Sequence, residues 1–442
     1  MANDRRDFIK KTSIISIVIV GLMFFIFGFV SWVNAILIPY FKISLELSNF
    51  QSYLVAFAFY IAYFVMSVPA SLLLEKVGFK KGMMFGFFSM ALGALLFVPA
   101  ALTRTYGLFL LGLFSIGTGL AILQTAANPY ITIVGPIDRA AQRMSIMGIC
   151  NKMAGILAPL IFAAVVLRVT DNELFTALKD GTMSAFDKDI ALAGLIRRVI
   201  VPYSILSVLL FLVGILVYKS PLPEINTSQA NQEVKDEGHG GKTGILQFPY
   251  LILGAFAIFF HVGSQIIAID TIIGYAQSMG LSLLEAKTFP SYTLGATMTG
   301  YLIGIIAIPR FINQRNALLT VTILGTILSL AVLLAKGEVV VFGHHTDISI
   351  WFLVALGLAN SLIYANIWPL AIRGLGRFTK TGSSLLVMGL CGNALTPLIY
   401  GRLADIWNVH NAYIILLPCY LYLVFYALYG YKITSWRPVK TS

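Results

Sequence analysis

Charged side chains are scarce in this chain. Its 442 residues include 31 Lys+Arg and 19 Asp+Glu, 11% of the whole, where a soluble globular protein carries about a quarter. That shortage argues against an ordinary soluble enzyme and accompanies a composition that is 58% hydrophobic. Cysteine is scarce too. Cys150, Cys391 and Cys419 all fall in apolar segments, so no disulfide framework is indicated. The first apolar segment is too long for a cleavable leader and lacks a small-residue cleavage pattern after it, so it is expected to remain as a membrane span.

What the chain has is length of apolar run. Twelve stretches reach roughly the 20 residues that a bilayer-crossing helix needs. They fall near 13–39, 50–74, 82–102, 107–128, 144–167, 200–218, 248–275, 289–309, 317–336, 349–372, 383–404 and 411–432, and are numbered spans 1 to 12. Glycine and proline occur inside many of them, as membrane helices permit. An all-α integral membrane protein is expected, in contact with lipid.

The formal net charge of +12 would suit a nucleic-acid partner if the charge were clustered for one, but its distribution speaks for a membrane instead. With the amino terminus inside and loops alternating, 20 Lys+Arg fall inside and 10 outside, with Lys152 in mid-span. The inside set lies in short loops beside helix ends, which is the positive-inside pattern. Both termini are predicted cytoplasmic, and no nucleic acid is expected as a partner.

The polar stretch from Ser220 to Gly244 has no apolar periodicity and reads as a linker. The expected organisation is a six-helix bundle over 1–219, a cytoplasmic linker over 220–245 and a second six-helix bundle over 246–442. The halves echo each other. Met-Gly-Ile-Cys-Asn at 147–151, followed by Pro-Leu-Ile at 159–161, recurs in span 11 as Met-Gly-Leu-Cys-Gly-Asn at 388–393 with Pro-Leu-Ile at 397–399. Such a repeat predicts a transporter with its site between the halves.

The opening of the argument for a ligand is LQTAANPYITIVGP, 123–136, where an apolar run holds Gln124 and Asn128 before a proline. Polar groups at membrane depth are costly unless they face protein or a water-filled cavity. Further amides recur at Asn34, Asn151, Gln265, Asn360, Asn366 and Asn393, with Trp32, Tyr53, Tyr364 and Trp368 among them. Amides donate and accept, and aromatic faces cover C–H surfaces, so the set suits a neutral sugar. For any single amide a helix–helix hydrogen bond is an equal alternative. The candidate binding set is Asn34, Gln124, Asn128, Asn151, Gln265, Tyr364, Asn366 and Asn393.

ASLLLEKVGFKKG, 70–82, resembles the loop signature of the major facilitator superfamily, with Glu75, Lys76, Gly78 and Lys80 as its conformational residues. WVNAILIPYF, SNFQSYLVAFAFYIAYFVMSVPA, LQTAANPYITIVGP and GRFTKTGSSLLVMGLCGNALTPLIYG resemble the fucose–proton symporter family, nearest its glucose/galactose permease branch. The resemblance spans almost the whole chain. It implies twelve helices in two pseudo-symmetric six-helix bundles and cation-coupled uptake of a monosaccharide across a bacterial inner membrane. Glucose or galactose is favoured over fucose or mannose. It implies no cofactor beyond a coupling ion, proton or sodium, and a monomer is expected. Asn151 matches a sugar-site asparagine of the family, and Tyr364 a cavity tyrosine. Two positions depart: Ala35 and Gln124 stand where relatives carry acids that serve proton coupling.

Asp270 is the one acid within a predicted span, in the outer third of span 7, and Lys152 is the one basic residue deep in a span. Asp270 is therefore expected to bind the coupling ion, with Lys152 as counter-charge and His261 as a lesser candidate. Gly263 and Gly274 would let span 7 bend. The alternatives are an Asp270 that only faces the vestibule and a Lys152 that donates to sugar or pairs structurally. At the level of function they are an uncoupled facilitator or exchanger. A membrane-embedded enzyme is a more distant alternative, since the cluster His344, His345 and Asp347 has no second ligand set in view. A sugar sensor would add a large soluble domain.

Overall fold

Inside a bilayer the backbone has no water to bond with, so each apolar run closes its hydrogen bonds within itself as a helix. The computed structural model describes residues 2–47, 49–133, 136–166, 174, 177, 183–222, 244–281, 283–286 and 288–436. The linker residues 223–243 lie outside the described residues. Among the described residues twelve crossings form two pseudo-symmetric sets of six. Span 1 is Ala2–Ser44, spans 2 and 3 share Asn49–Thr103, span 4 is Tyr106–Ile133, span 5 Ala140–Val166 and span 6 Ile200–Lys219. Span 7 is Pro249–Asp270, span 8 Phe289–Ala307, span 9 Gln314–Leu334 and span 12 Leu416–Leu428. Span 10 joins Ser349–Ser361 to Ile363–Ile372, and span 11 joins Thr379–Met388 to Gly392–Ile406 through a tight turn at Gly389–Cys391.

Several elements differ from the sequence expectation. Spans 2 and 3 are continuous except at Gly78, whose φ of 82° and ψ of 173° turn the chain without a loop. Only glycine adopts that conformation at no steric cost. Span 7 breaks at Thr271, between Asp270 and the short helix Ile272–Ser278, and not at its glycines. Gly263 serves close packing: a Cβ there would lie 2.6 Å from the Thr396 Oγ1. The stretch His344–Asp347 is one strand of a hairpin with Glu338–Val341. Asp347 accepts hydrogen bonds from the amides of Gly337 (3.1 Å) and Ser349 (2.9 Å), and so fastens the hairpin to the start of span 10.

Helices in lipid associate through close fit more than through apolarity, which lipid itself supplies. Spans 3 and 4 meet at small residues. A Cβ on Gly86 would lie 2.9 Å from the Gly119 carbonyl oxygen, and one on Gly112 2.8 Å from that of Gly93. The repeated Met-Gly segments sit at equivalent crossings. Gly28 of span 1 abuts the Asn151 carbonyl of span 5, and Gly392 of span 11 abuts the Phe259 carbonyl of span 7. Val18 (65% exposed), Leu216 (65%) and Ile306 (66%) point away from the bundle, a surface suited to lipid.

Polar ends are tied down on one face, called here the linker face. Lys80 donates to the Ser220 carbonyl, the amide of Tyr250 to Ile433 (3.1 Å) and the Trp436 indole to Leu246 (2.8 Å). The last carbonyls of span 4 lack helical partners because the helix ends at Ile133. The Arg143 guanidinium of span 5 donates to two of them, Ile131 (2.8 Å) and Thr132 (2.6 Å), and to Pro136 (2.8 Å) just before span 5.

A Cβ at Gly119 would overlap the Gly86 carbonyl and the Met90 side chain, whereas Gly295 has nothing within 4 Å. Gly119→Ala is expected to destabilise by about 1–3 kcal/mol, as overpacking does, and Gly295→Ala to leave stability unchanged. Thermal unfolding of the detergent-solubilised variants measures both.

Candidate functional site

Eight spans contribute to a cavity of ≈ 140 Å³ between the two six-helix sets. Trp32 enters from span 1, Tyr60 and Tyr63 from span 2, Gln124 from span 4, and Asn151 and Lys152 from span 5. The second set contributes His261 and Gln265 from span 7, Tyr301 from span 8, Tyr364 from span 10 and Asn393 from span 11. Among the described residues the lining holds no carboxylate.

Gln124 and Asn128, one helical turn apart, share a face of span 4. Asn128 donates through Nδ2 to the Tyr364 hydroxyl (3.0 Å), which donates on to Gln124 Oε1 (3.4 Å). Gln124 Nε2 in turn donates to the Tyr63 hydroxyl (3.2 Å). This chain of four side chains crosses from one six-helix set to the other and back. It answers why an apolar run carries two amides: Gln124 faces the cavity, while the fully buried Asn128 holds the tyrosine beneath it.

The candidate set therefore divides. Gln124, Asn151, Gln265, Tyr364 and Asn393 line the cavity, as do Trp32 and Lys152. Asn393 has no hydrogen-bond partner among the described residues, and Asn151 has a long bond (3.3 Å) to the Phe24 carbonyl. Asn366 does not belong to the lining. It is fully buried and its Nδ2 turns back to the Leu362 carbonyl (2.6 Å), bridging the break in span 10. Asn360 is a strut that accepts from the Tyr420 hydroxyl (2.8 Å), and Trp368 is fully buried. The side chains of Asn34, Ala35 and Tyr53 lie outside the described residues.

Lys152 is 5% exposed. Its Nζ stands 4.8 Å from the centroid of the Trp32 ring and donates a long hydrogen bond, 3.4 Å, to Gln265 Oε1 in the opposite set. Asp270 is an exposed last residue of span 7 and is not part of the lining. No ion pair at contact distance joins it to Lys152 among the described residues. His261 is 1% exposed, and its Nδ1 has no partner among the described residues.

Sequence reading missed Tyr60, Tyr63 and Tyr301. Their hydroxyls sit on residues that otherwise pass as apolar, and the three-residue spacing of Tyr60 and Tyr63 on one helix face was the available signal.

Below the cavity, on the linker face, the two sets are joined directly. Thr381 donates to Glu75 Oε1 (2.8 Å) and Lys380 to the Leu74 carbonyl (2.9 Å), with its ammonium 5.3 Å from the Phe79 ring centroid. Gln142 of span 5 donates to the Ile305 carbonyl of span 8 (2.6 Å). Of the four loop residues singled out in the sequence, Glu75 bridges the sets, Gly78 makes the turn, Lys80 anchors Ser220 and Lys76 is exposed.

A Major Facilitator Superfamily model matches residues 20–393. The glucose/galactose transporter of Brucella abortus is 34% identical over 93% of this chain and 93% of its own length. The L-fucose-proton symporter of Escherichia coli is 28% identical over 95% and 93%. A crystal structure of the fucose:proton symporter FucP in the outward conformation superposes with a TM-score of 0.79 at 27% identity, covering 94% of this chain and 98% of that one.

The division of the amides is testable by access. With Cys150, Cys391 and Cys419 replaced by alanine, a cysteine introduced at Asn393 is expected to be alkylated by a small polar maleimide. One introduced at Asn366 is expected to stay unmodified, as read by mass spectrometry of the intact protein.

Proposed function

The chain belongs to the Major Facilitator Superfamily, and we propose that it imports a neutral monosaccharide by cation-coupled alternating access. Glucose or galactose is the preferred substrate, fucose or mannose the lesser one, and the protein works as a monomer in a bacterial inner membrane. It is a transporter and not an enzyme. The observation that carries the substrate class is the lining of amides and tyrosines between the two six-helix sets, carboxylate-free among the described residues. A sugar presents hydroxyls that both donate and accept, and Gln124, Asn151, Gln265 and Asn393 offer both functions without a charge. Trp32 and the tyrosines offer flat faces for the C–H surface of a pyranose ring.

In this reading the linker face is cytoplasmic, with both termini on it, in keeping with the basic short loops. The bonds from Glu75, Lys380 and Gln142 close that face, so the state described is one in which the cavity is shut towards the cytoplasm. Import requires those bonds to break as the halves rock about the site. Uncoupled facilitation or exchange is the second reading, favoured by the same lack of a carboxylate in the lining.

Labelled glucose and galactose taken up by proteoliposomes test the proposal. Asn151→Ala and Gln124→Ala are each expected to weaken apparent sugar affinity by about 1–3 kcal/mol, the cost of leaving a buried hydroxyl unpaired. Normal affinity in both would assign these amides to helix packing alone, and absence of sugar uptake by the wild type would end the sugar reading.

A further inference from the structure

Lys152 is the one lysine or arginine among the described residues of the cavity wall. A lone ammonium removed from water is costly unless it is paired or can lose its proton. No carboxylate lies within 4 Å of it among the described residues. Its surroundings are a ring face, Trp32 of span 1, and one long hydrogen bond to Gln265 of span 7. The titratable groups that line the cavity with it are His261 of span 7, Tyr60 and Tyr63 of span 2, Tyr301 of span 8 and Tyr364 of span 10, and Asp270 ends span 7 outside that lining. Asp270 is the one carboxyl group among these, at the exposed end of its helix.

These partners divide between the two moving bodies. Trp32 belongs to the same six-helix set as Lys152 and travels with it. Gln265 and Asp270 belong to the other set. Rocking therefore changes how well the ammonium is stabilised, while the amine form is little affected. A site whose charged form is favoured in one of two conformations binds its proton more tightly there, and the proton reciprocally biases the conformations.

We propose that Lys152 is the proton-binding site of the transport cycle. The amine takes a proton while the cavity faces outward, with Gln265 in hydrogen-bond reach and Asp270 further along the same helix, and releases it inward when rocking removes them. The step is a single protonation of the amine lone pair, –NH2 + H+ to –NH3+, and requires no other reactant. Asp270 is then the remote counter-charge and Lys152 the carrier, the reverse of the roles that span position alone indicates. The proposal rests on the transport reading above only for the sugar used to follow it.

The test uses the full-length protein in proteoliposomes, as wild type and as Lys152→Met, Lys152→Arg and Asp270→Asn. Labelled galactose is followed in counterflow without a gradient and in uphill accumulation under an imposed pH gradient or sodium gradient. Wild type is expected to accumulate sugar several-fold under the pH gradient. Lys152→Met and Lys152→Arg are expected to lose accumulation while counterflow persists at a reduced rate. Asp270→Asn is expected to retain accumulation with its optimum moved to more acidic external pH, because the ammonium loses its counter-charge. A tryptophan-fluorescence titration provides a readout without sugar: a pH-dependent change lost in both Lys152→Met and Trp32→Phe. Wild-type accumulation driven only by sodium, or full accumulation by Lys152→Met, overturns the proposal. So does competition by galacturonate that is lost in Lys152→Met, which would assign Lys152 to a substrate carboxylate. If galactose is not carried at all, the sugar reading fails, and the fluorescence titration alone decides the proton site.

Discussion

A polar side chain inside a bilayer has two stable fates: a partner within the protein or a face on water. That constraint divides the amides described here. Asn360, bonded to Tyr420, and Asn366, bonded across the break in span 10, take the first course. Gln265 and Asn393 take the second. Gln124 takes both, since its amide is held by two tyrosines while it still borders the cavity. The site is what remains after the helices have satisfied themselves.

The same rule explains what was legible in the sequence. Length of apolar run gave the crossings, because a helix must close its own backbone bonds over a fixed thickness. The repeat around Cys150 and Cys391 marked real equivalents, each placing an asparagine on the cavity and a close helix crossing beside it. The direction of each amide was not legible. Asn366 and Asn393 look alike in a string, and one turn of helix decides which of them meets the cavity. Nor could spacing reveal the continuity of spans 2 and 3, which depends on one glycine conformation at Gly78. The break at Thr271 and the strand at His344–Asp347 also depend on tertiary contacts.

The two ends of the cavity are unequal in what holds them. Towards the linker face the sets are stitched by Glu75, Lys380 and Gln142, and the floor is the Asn128–Tyr364 bond. Each of these joins a donor in one set to an acceptor in the other, and the carbonyl acceptors at Leu74 and Ile305 are backbone atoms fixed by their helices. On this face the hydrogen bonds stand beside an apolar contact between the sets, where Ala141 of span 5 packs with Ile308 and Ala317. Water can take over the donors and acceptors of such hydrogen bonds where they part.

Arg143 adds a mechanical consequence. By binding two carbonyls at the end of span 4 and one in the turn after it from its place on span 5, it fastens two neighbouring helices at their shared end like a hinge pin that has been welded. Spans 4 and 5 carry Gln124, Asn128, Asn151 and Lys152, so the amides and the ammonium are mounted on one stiff lever. A tilt at the linker face then reaches the cavity as displacement of the whole set, with little lost to bending along the way.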